Sequence, residues 1–123
     1  MRFEARAVII KSIMKANFTE INSTEQLNEL FEKSNEKPIV LFKHSTTCPI
    51  SAGVHEEISN ADADINIVIM QKARNVSDEI ARRTGIRHES PQAIVLKDEK
   101  VIYHASHYDV TAEDVEKRSE FRG

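Results

Sequence analysis

The feature that most constrains this 123-residue chain is a series of short apolar runs separated by segments of helical period. Ile39-Val40-Leu41-Phe42 is apolar at every position and rich in β-branched residues. Such a run suits a central strand buried on both faces rather than the alternating strand of a one-sided sheet. Residues 65–70 and 93–96 are of the same kind. Between these runs the period changes. Leu27, Leu30 and Phe31 recur at i, i+3 and i+4 behind a capping box of Ser23 and Gln26. Ile50, Val54 and Ile58 lie four apart in a second helix, which runs from Cys48-Pro49 to about Asn60. Residues 76–84 form a third, with Asn75 as its cap and Gly85 as its stop.

The remaining segments complete the order. Residues 17–21 alternate polar and apolar, as a short strand does, and residues 101–104 return from a turn at 97–100 as the second strand of a hairpin. Thr111 and Asp114 form another capping box, for a C-terminal helix through Lys117. The order is β-α-β-α-β-α-β-β-α. Strands alternating with helices imply right-handed crossovers and parallel pairing, and the closing hairpin makes the sheet mixed. The expected class is therefore α/β, a mixed central sheet flanked by helices.

Length and charge narrow the function. One domain is expected, running from 14 to 123, with residues 1–13 as an N-terminal extension, read from an upstream start or docked as a short surface strand or helix. The chain is 40% hydrophobic and 30% charged with a net charge of −3, which gives no electrostatic footprint for nucleic acid or an anionic membrane. No apolar run is long enough to span a bilayer. The apolar stretch 7–10 is cut by Lys11 and is too brief for a secretory core, so a cytoplasmic location is expected. The five histidines are scattered, without the close ligand spacing of structural zinc, and no metal is expected.

A single cysteine, Cys48, rules out an internal disulfide, a multi-cysteine metal site and an intramolecular dithiol couple. By residue type, a lone cysteine is commonly a small buried hydrophobe. Position argues otherwise. Cys48 lies between a polar loop, residues 44–47, and Pro49, a residue that suits a first helical turn. Unpaired N–H groups and the positive dipole end gather there, and both favour a thiolate, the attacking form of sulfur. Sites in such sheets collect at the carboxyl ends of strands. Lys43 and His44 precede the cysteine and could add positive potential. Ser51, three residues on, either donates a hydrogen bond to the sulfur or is a solvated hydroxyl. Ser90-Pro91 precedes a strand. An X–Pro bond there is either cis, in a tight loop, or a plain trans strand start.

The chain order, Cys48-Pro49-Ile50-Ser51 at the second strand-to-helix junction, and Ser90-Pro91 before the hairpin together resemble the thioredoxin-like superfamily over residues 15–118. That resemblance implies a cis Pro91 facing the cysteine, with backbone at Ser90 that pairs with substrate. More narrowly, Lys43-His44-Ser45-Thr46-Thr47-Cys48-Pro49-Ile50-Ser51 resembles the YtxJ-type monothiol bacilliredoxins, whose motif is of the Thr-Cys-Pro-Ile-Ser type. The family implies a thiol–disulfide oxidoreductase that removes bacillithiol from mixed disulfides on client proteins. Cys48 and Ser51 would be catalytic, and Thr47, Pro49, Ser90, Pro91, Lys43 and His44 would contact substrate. It implies no bound cofactor, with bacillithiol as co-substrate and with bacillithiol or another redoxin as reductant. Arg87 is a further candidate for holding the carboxylates of bacillithiol.

Three other readings start from the same residues. Monothiol glutaredoxins with Cys-Gly-Phe-Ser carry iron–sulfur clusters, but Pro49 and Ile50 replace Gly and Phe here. Ser45 stands three before the cysteine, as a hydroxyl residue does in peroxiredoxins, yet Leu41 occupies the place of their upstream proline. A non-catalytic thioredoxin-fold binding module is the third.

Overall fold

The computed structural model describes residues 15–120. The expected extension at residues 1–13 lies outside the described residues. From β1 (Asn17–Glu20) the chain passes through α1 (Thr24–Lys33), β2 (Ile39–His44), α2 (Pro49–Ile58), β3 (Asp64–Ile69) and α3 (Arg74–Thr84). It closes with β4 (Gln92–Lys97), β5 (Lys100–Ser106), a 3₁₀ turn (His107–Asp109) and α4 (Ala112–Arg118). The expected order is observed, with the 3₁₀ turn added.

The five strands are arranged β1-β3-β2-β4-β5. β3 is parallel to β1 and to β2, whereas β4 is antiparallel to β2 and to β5. The apolar run of β2 is buried on both faces, as its composition predicts. Val40 and Phe42 pack under α2 and α4 with Val54, Ile58 and Val115. Ile39 and Leu41 pack on the other face under α1 and α3 with Leu27, Phe31, Val76 and Ile80. β4 divides in the same way, Ala93 and Val95 to the first cluster and Ile94 and Leu96 to the second.

Local chemistry sets most of the boundaries. Ser23 caps α1 by accepting from the Gln26 N–H at 3.1 Å, and Gln26 Oε1 accepts from the Asn22 N–H at 2.8 Å, one residue before the cap itself. Thr111 caps α4 by accepting from the Asp114 N–H. Gly85 ends α3 at φ 73°, where a side chain would be strained. The hairpin turns on Asp98 and Glu99, both at positive φ as a two-residue turn requires. Ser34 at the end of α1 holds that turn: its carbonyl accepts the Asp98 N–H at 2.7 Å and its hydroxyl accepts the Glu99 N–H at 2.8 Å.

Two expectations are corrected. α3 begins at Arg74 with Ala73 at the cap, not with Asn75. Ala73 is fully buried and its N–H bonds the Ile69 carbonyl, so packing against the sheet, not a side-chain cap, starts this helix. His44 is the last residue of β2, paired with Ile69, rather than the first of a loop. Its carbonyl accepts the Met70 N–H at 2.9 Å, which carries the ladder to this residue, and its ring lies in a row with those of Phe42 and His55.

Candidate active site

The site lies where β2 ends and α2 begins. Cys48 is the N-cap of α2, in extended conformation at φ −102° and ψ 119°, and is partly exposed. Pro49 follows in the first turn. The Ala52 N–H closes the first helical bond on the Cys48 carbonyl at 3.0 Å. No acidic side chain lies in this first turn, so the positive end of the helix is left unneutralised beside the sulfur.

A second loop lies across the sheet from the end of β2. Lys43 pairs with Gln92 across the β2–β4 ladder, and one further step brings His44 level with Pro91. The Ser90–Pro91 peptide is cis. Pro91 is buried, and its carbonyl accepts the His107 N–H at 2.9 Å, which fixes the 3₁₀ turn beside it. Ser90 Oγ is enclosed without a hydrogen-bond partner among the described residues.

The loop between β2 and Cys48 is held by a residue that sequence reasoning did not single out. Gln71, just after β3, accepts the Thr46 N–H at 3.1 Å and donates to Ser45 Oγ at 3.0 Å and Thr47 Oγ1 at 3.3 Å. No motif marks it, because its partners lie 24 to 26 residues away.

Ser51 is neither a solvated hydroxyl nor a group with only the sulfur to meet. It is 0% exposed. Its Oγ accepts the Ser45 N–H at 3.0 Å and lies 2.8 Å from His44 Nδ1. His44 in turn meets His55 of α2 at a 4.8 Å ring separation, and His55 stacks on Phe18 at 4.9 Å. Burial lowers the pKa of both imidazoles, and the neighbouring His55 lowers that of His44 further. His44 is therefore a neutral, hydrogen-bonded group under the helix rather than a cation offered to substrate. His55 was missed, although its i+4 spacing from Ser51 was a usable signal.

Lys43 is corrected most plainly. It is 1% exposed and shares the face of Ile39 and Leu41, opposite to α2. Its Nζ lies 3.3 Å from His88 Nδ1, which is also 3.2 Å from Ser77 Oγ. Burial pushes the Lys43 pKa down to about 8, against the opposing pull of Asp78. A side chain so enclosed does not reach a carboxylate beside Cys48. Thr47, Pro49 and Arg87 are exposed, and the Arg87 carbonyl accepts from Gln92 Nε2.

A partly exposed lone cysteine at the helix start after a central strand whose end is level with a cis-proline loop defines a class: thiol–disulfide oxidoreductases of the thioredoxin fold. A solved structure described as a candidate oxidoreductase with a thioredoxin fold is 30% identical. It covers 86% of this chain and 95% of its own, with a TM-score of 0.75. Thioredoxins from Nicotiana alata and Fasciola hepatica share the fold at 20% and 14% identity. Their TM-scores are 0.63 and 0.61, covering 85% and 82% of this chain and 95% and 98% of their own. The family model of the monothiol bacilliredoxin BrxC matches residues 19–115, and the chain belongs to that family.

Proposed function

We propose that this chain removes bacillithiol from mixed disulfides on client proteins, with Cys48 as the attacking group. The observation that carries the reading is the placement of one partly exposed sulfur at the start of α2, with no second cysteine in the chain. Membership of the monothiol bacilliredoxin family supports the choice of bacillithiol.

The step is a thiol–disulfide exchange. The Cys48 thiolate attacks the bacillithiol sulfur of the mixed disulfide. A new S–S bond forms, the old one breaks, and the client leaves as a thiolate that takes a proton from water. Cys48 now carries the bacillithiol. Ser51 stands where a dithiol enzyme would place its resolving cysteine, and a hydroxyl cannot displace a disulfide. A second thiolate, from bacillithiol or from another redoxin, must therefore attack the adduct. Cys48 is released and the attacking thiol leaves as a disulfide. The backbone at Ser90, just before the cis Pro91, would be the edge on which client backbone pairs. The proposed setting is the bacterial cytoplasm. Among the described residues no helix is long and apolar enough to cross a membrane.

The test follows the client. A bacillithiolated client incubated with the chain and free bacillithiol is expected to recover its free thiol. The Cys48→Ser variant is expected to leave it capped. Equal recovery with that variant would overturn the proposal.

A further inference from the structure

The segment between α3 and β4 ends in the backbone that would meet a client. Among the described residues, residues 86–90 make no backbone-to-backbone hydrogen bond. Side chains hold the segment instead. Thr84 Oγ1 accepts the Ile86 N–H at 3.1 Å, Gln92 Nε2 donates to the Arg87 carbonyl at 3.0 Å, and the Glu89 side chain meets Ser106. Those ties run to the end of α3, to β4 and to β5. His88 makes the tie to β2 and to the body of α3. It is exposed as a whole, but its Nδ1 lies 3.3 Å from Lys43 Nζ and 3.2 Å from Ser77 Oγ, in residues that are 1% and 0% exposed. An ammonium carries donors only, so Nδ1 is the acceptor and the ring proton sits on Nε2. Burial first and the Lys43 charge next lower the His88 pKa and keep the ring neutral; Arg74 adds to them, and Asp78 and Glu89 oppose. A buried ammonium without an acceptor is costly, so Lys43 draws His88 inward. β2 is also the strand that leads to Cys48. The His88 tie therefore sets the segment before Pro91 against the strand that carries the sulfur.

We propose that His88 is a positioning residue for client binding: buried donors from β2 and α3 close on its Nδ1 and hold residues 86–90 ready to pair with client backbone. No covalent bond is made or broken at His88. A client that meets an ordered edge does not have to order it, and fixing the backbone of one residue is worth roughly tenfold in binding. The proposal rests on the client pairing at Ser90, but not on bacillithiol being the group removed.

The test is the kinetics with which the full chain frees a bacillithiolated client. His88→Leu is expected to raise the client KM about tenfold at unchanged kcat, as lost binding does and lost chemistry does not. The double variant Lys43→Met, Ser77→Ala removes both donors and leaves no charge buried at position 43. It is expected to raise KM as much, and it decides the matter if His88→Leu does not fold. Either of its single changes leaves one donor on Nδ1 and is expected to move KM less than the two together. His88→Asn is expected to stay close to wild type, because its amide oxygen stands near the place of Nδ1. Backbone NMR relaxation gives a second readout. Order parameters at Glu89 and Ser90 are expected at about 0.85 in wild type and His88→Asn, and below about 0.6 in His88→Leu and the double variant. An unchanged KM in the double variant, or a His88→Asn as impaired as His88→Leu, overturns the proposal. If the relaxation pattern holds but wild type frees no client, the functional reading fails and the hold on residues 86–90 stands.

Discussion

At the scale of single residues, the buried Lys43 makes the sharpest demand on the fold. Its pKa falls from 10.5 in an open chain to about 8 in the folded one, because burial penalises the ammonium. The folded state thus binds this proton less tightly than the unfolded state. The associated stability is fully present above pH 10.5 and is lost as pH falls through about 8. Urea unfolding of the wild type should show stability rising between pH 7 and pH 9. Lys43→Met, of similar volume, should flatten that rise and gain ~1–3 kcal/mol at pH 7, as replacing buried charge with packed hydrophobe often does. A variant less stable than wild type at pH 7 would contradict this. The parity of β2 already held the answer in the sequence: Lys43 falls on the odd-numbered face with Ile39 and Leu41, which cannot be the face beneath α2. Nearness in sequence to Cys48 was the weaker guide.

At the scale of elements, the helices and the loop that bear the site answer to different rules. Gly53 sits in the middle of α2 with no atom near where a Cβ would stand. Gly53→Ala should therefore stabilise the chain by about 0.5–1 kcal/mol through helix propensity alone. Gly85→Ala should do the reverse by about 1 kcal/mol, because φ 73° strains a side chain even where space is open. Thermal unfolding of the pair should move in opposite directions, and a shared sign would contradict the account. The loop before Cys48 depends on Gln71. Removing that amide by Gln71→Ala should speed hydrogen exchange at the Thr46 N–H about fivefold, the loss of one ordinary hydrogen bond. An unchanged exchange rate would show the loop to be held by other contacts. Capping boxes at Ser23 and Thr111 were legible because both partners lie within one turn. The start of α3 was not, since Ala73 begins it through burial against the sheet.

At the scale of the molecule, the period of the apolar residues carried the element order, and the lone cysteine carried the candidate site. The pairing of β2 with β4 was not legible, because nothing local in either strand states its neighbour. Yet that pairing brings His44 level with Pro91 and joins two halves of the site that stand far apart in sequence. The buried side of the site, Ser51 with His44 and His55, needed both periods at once, two along β2 and 3.6 along α2. What remains at the surface is one sulfur with no thiol partner in the chain, so its reaction must stop at a mixed disulfide until an outside thiol arrives. The intact mass of the chain after incubation with a bacillithiolated client, with free thiols removed, tests this most directly. We expect a gain of one bacillithiol, located at Cys48 by fragmentation and reversed by added bacillithiol. A chain that stays at its starting mass while the client is freed would contradict it.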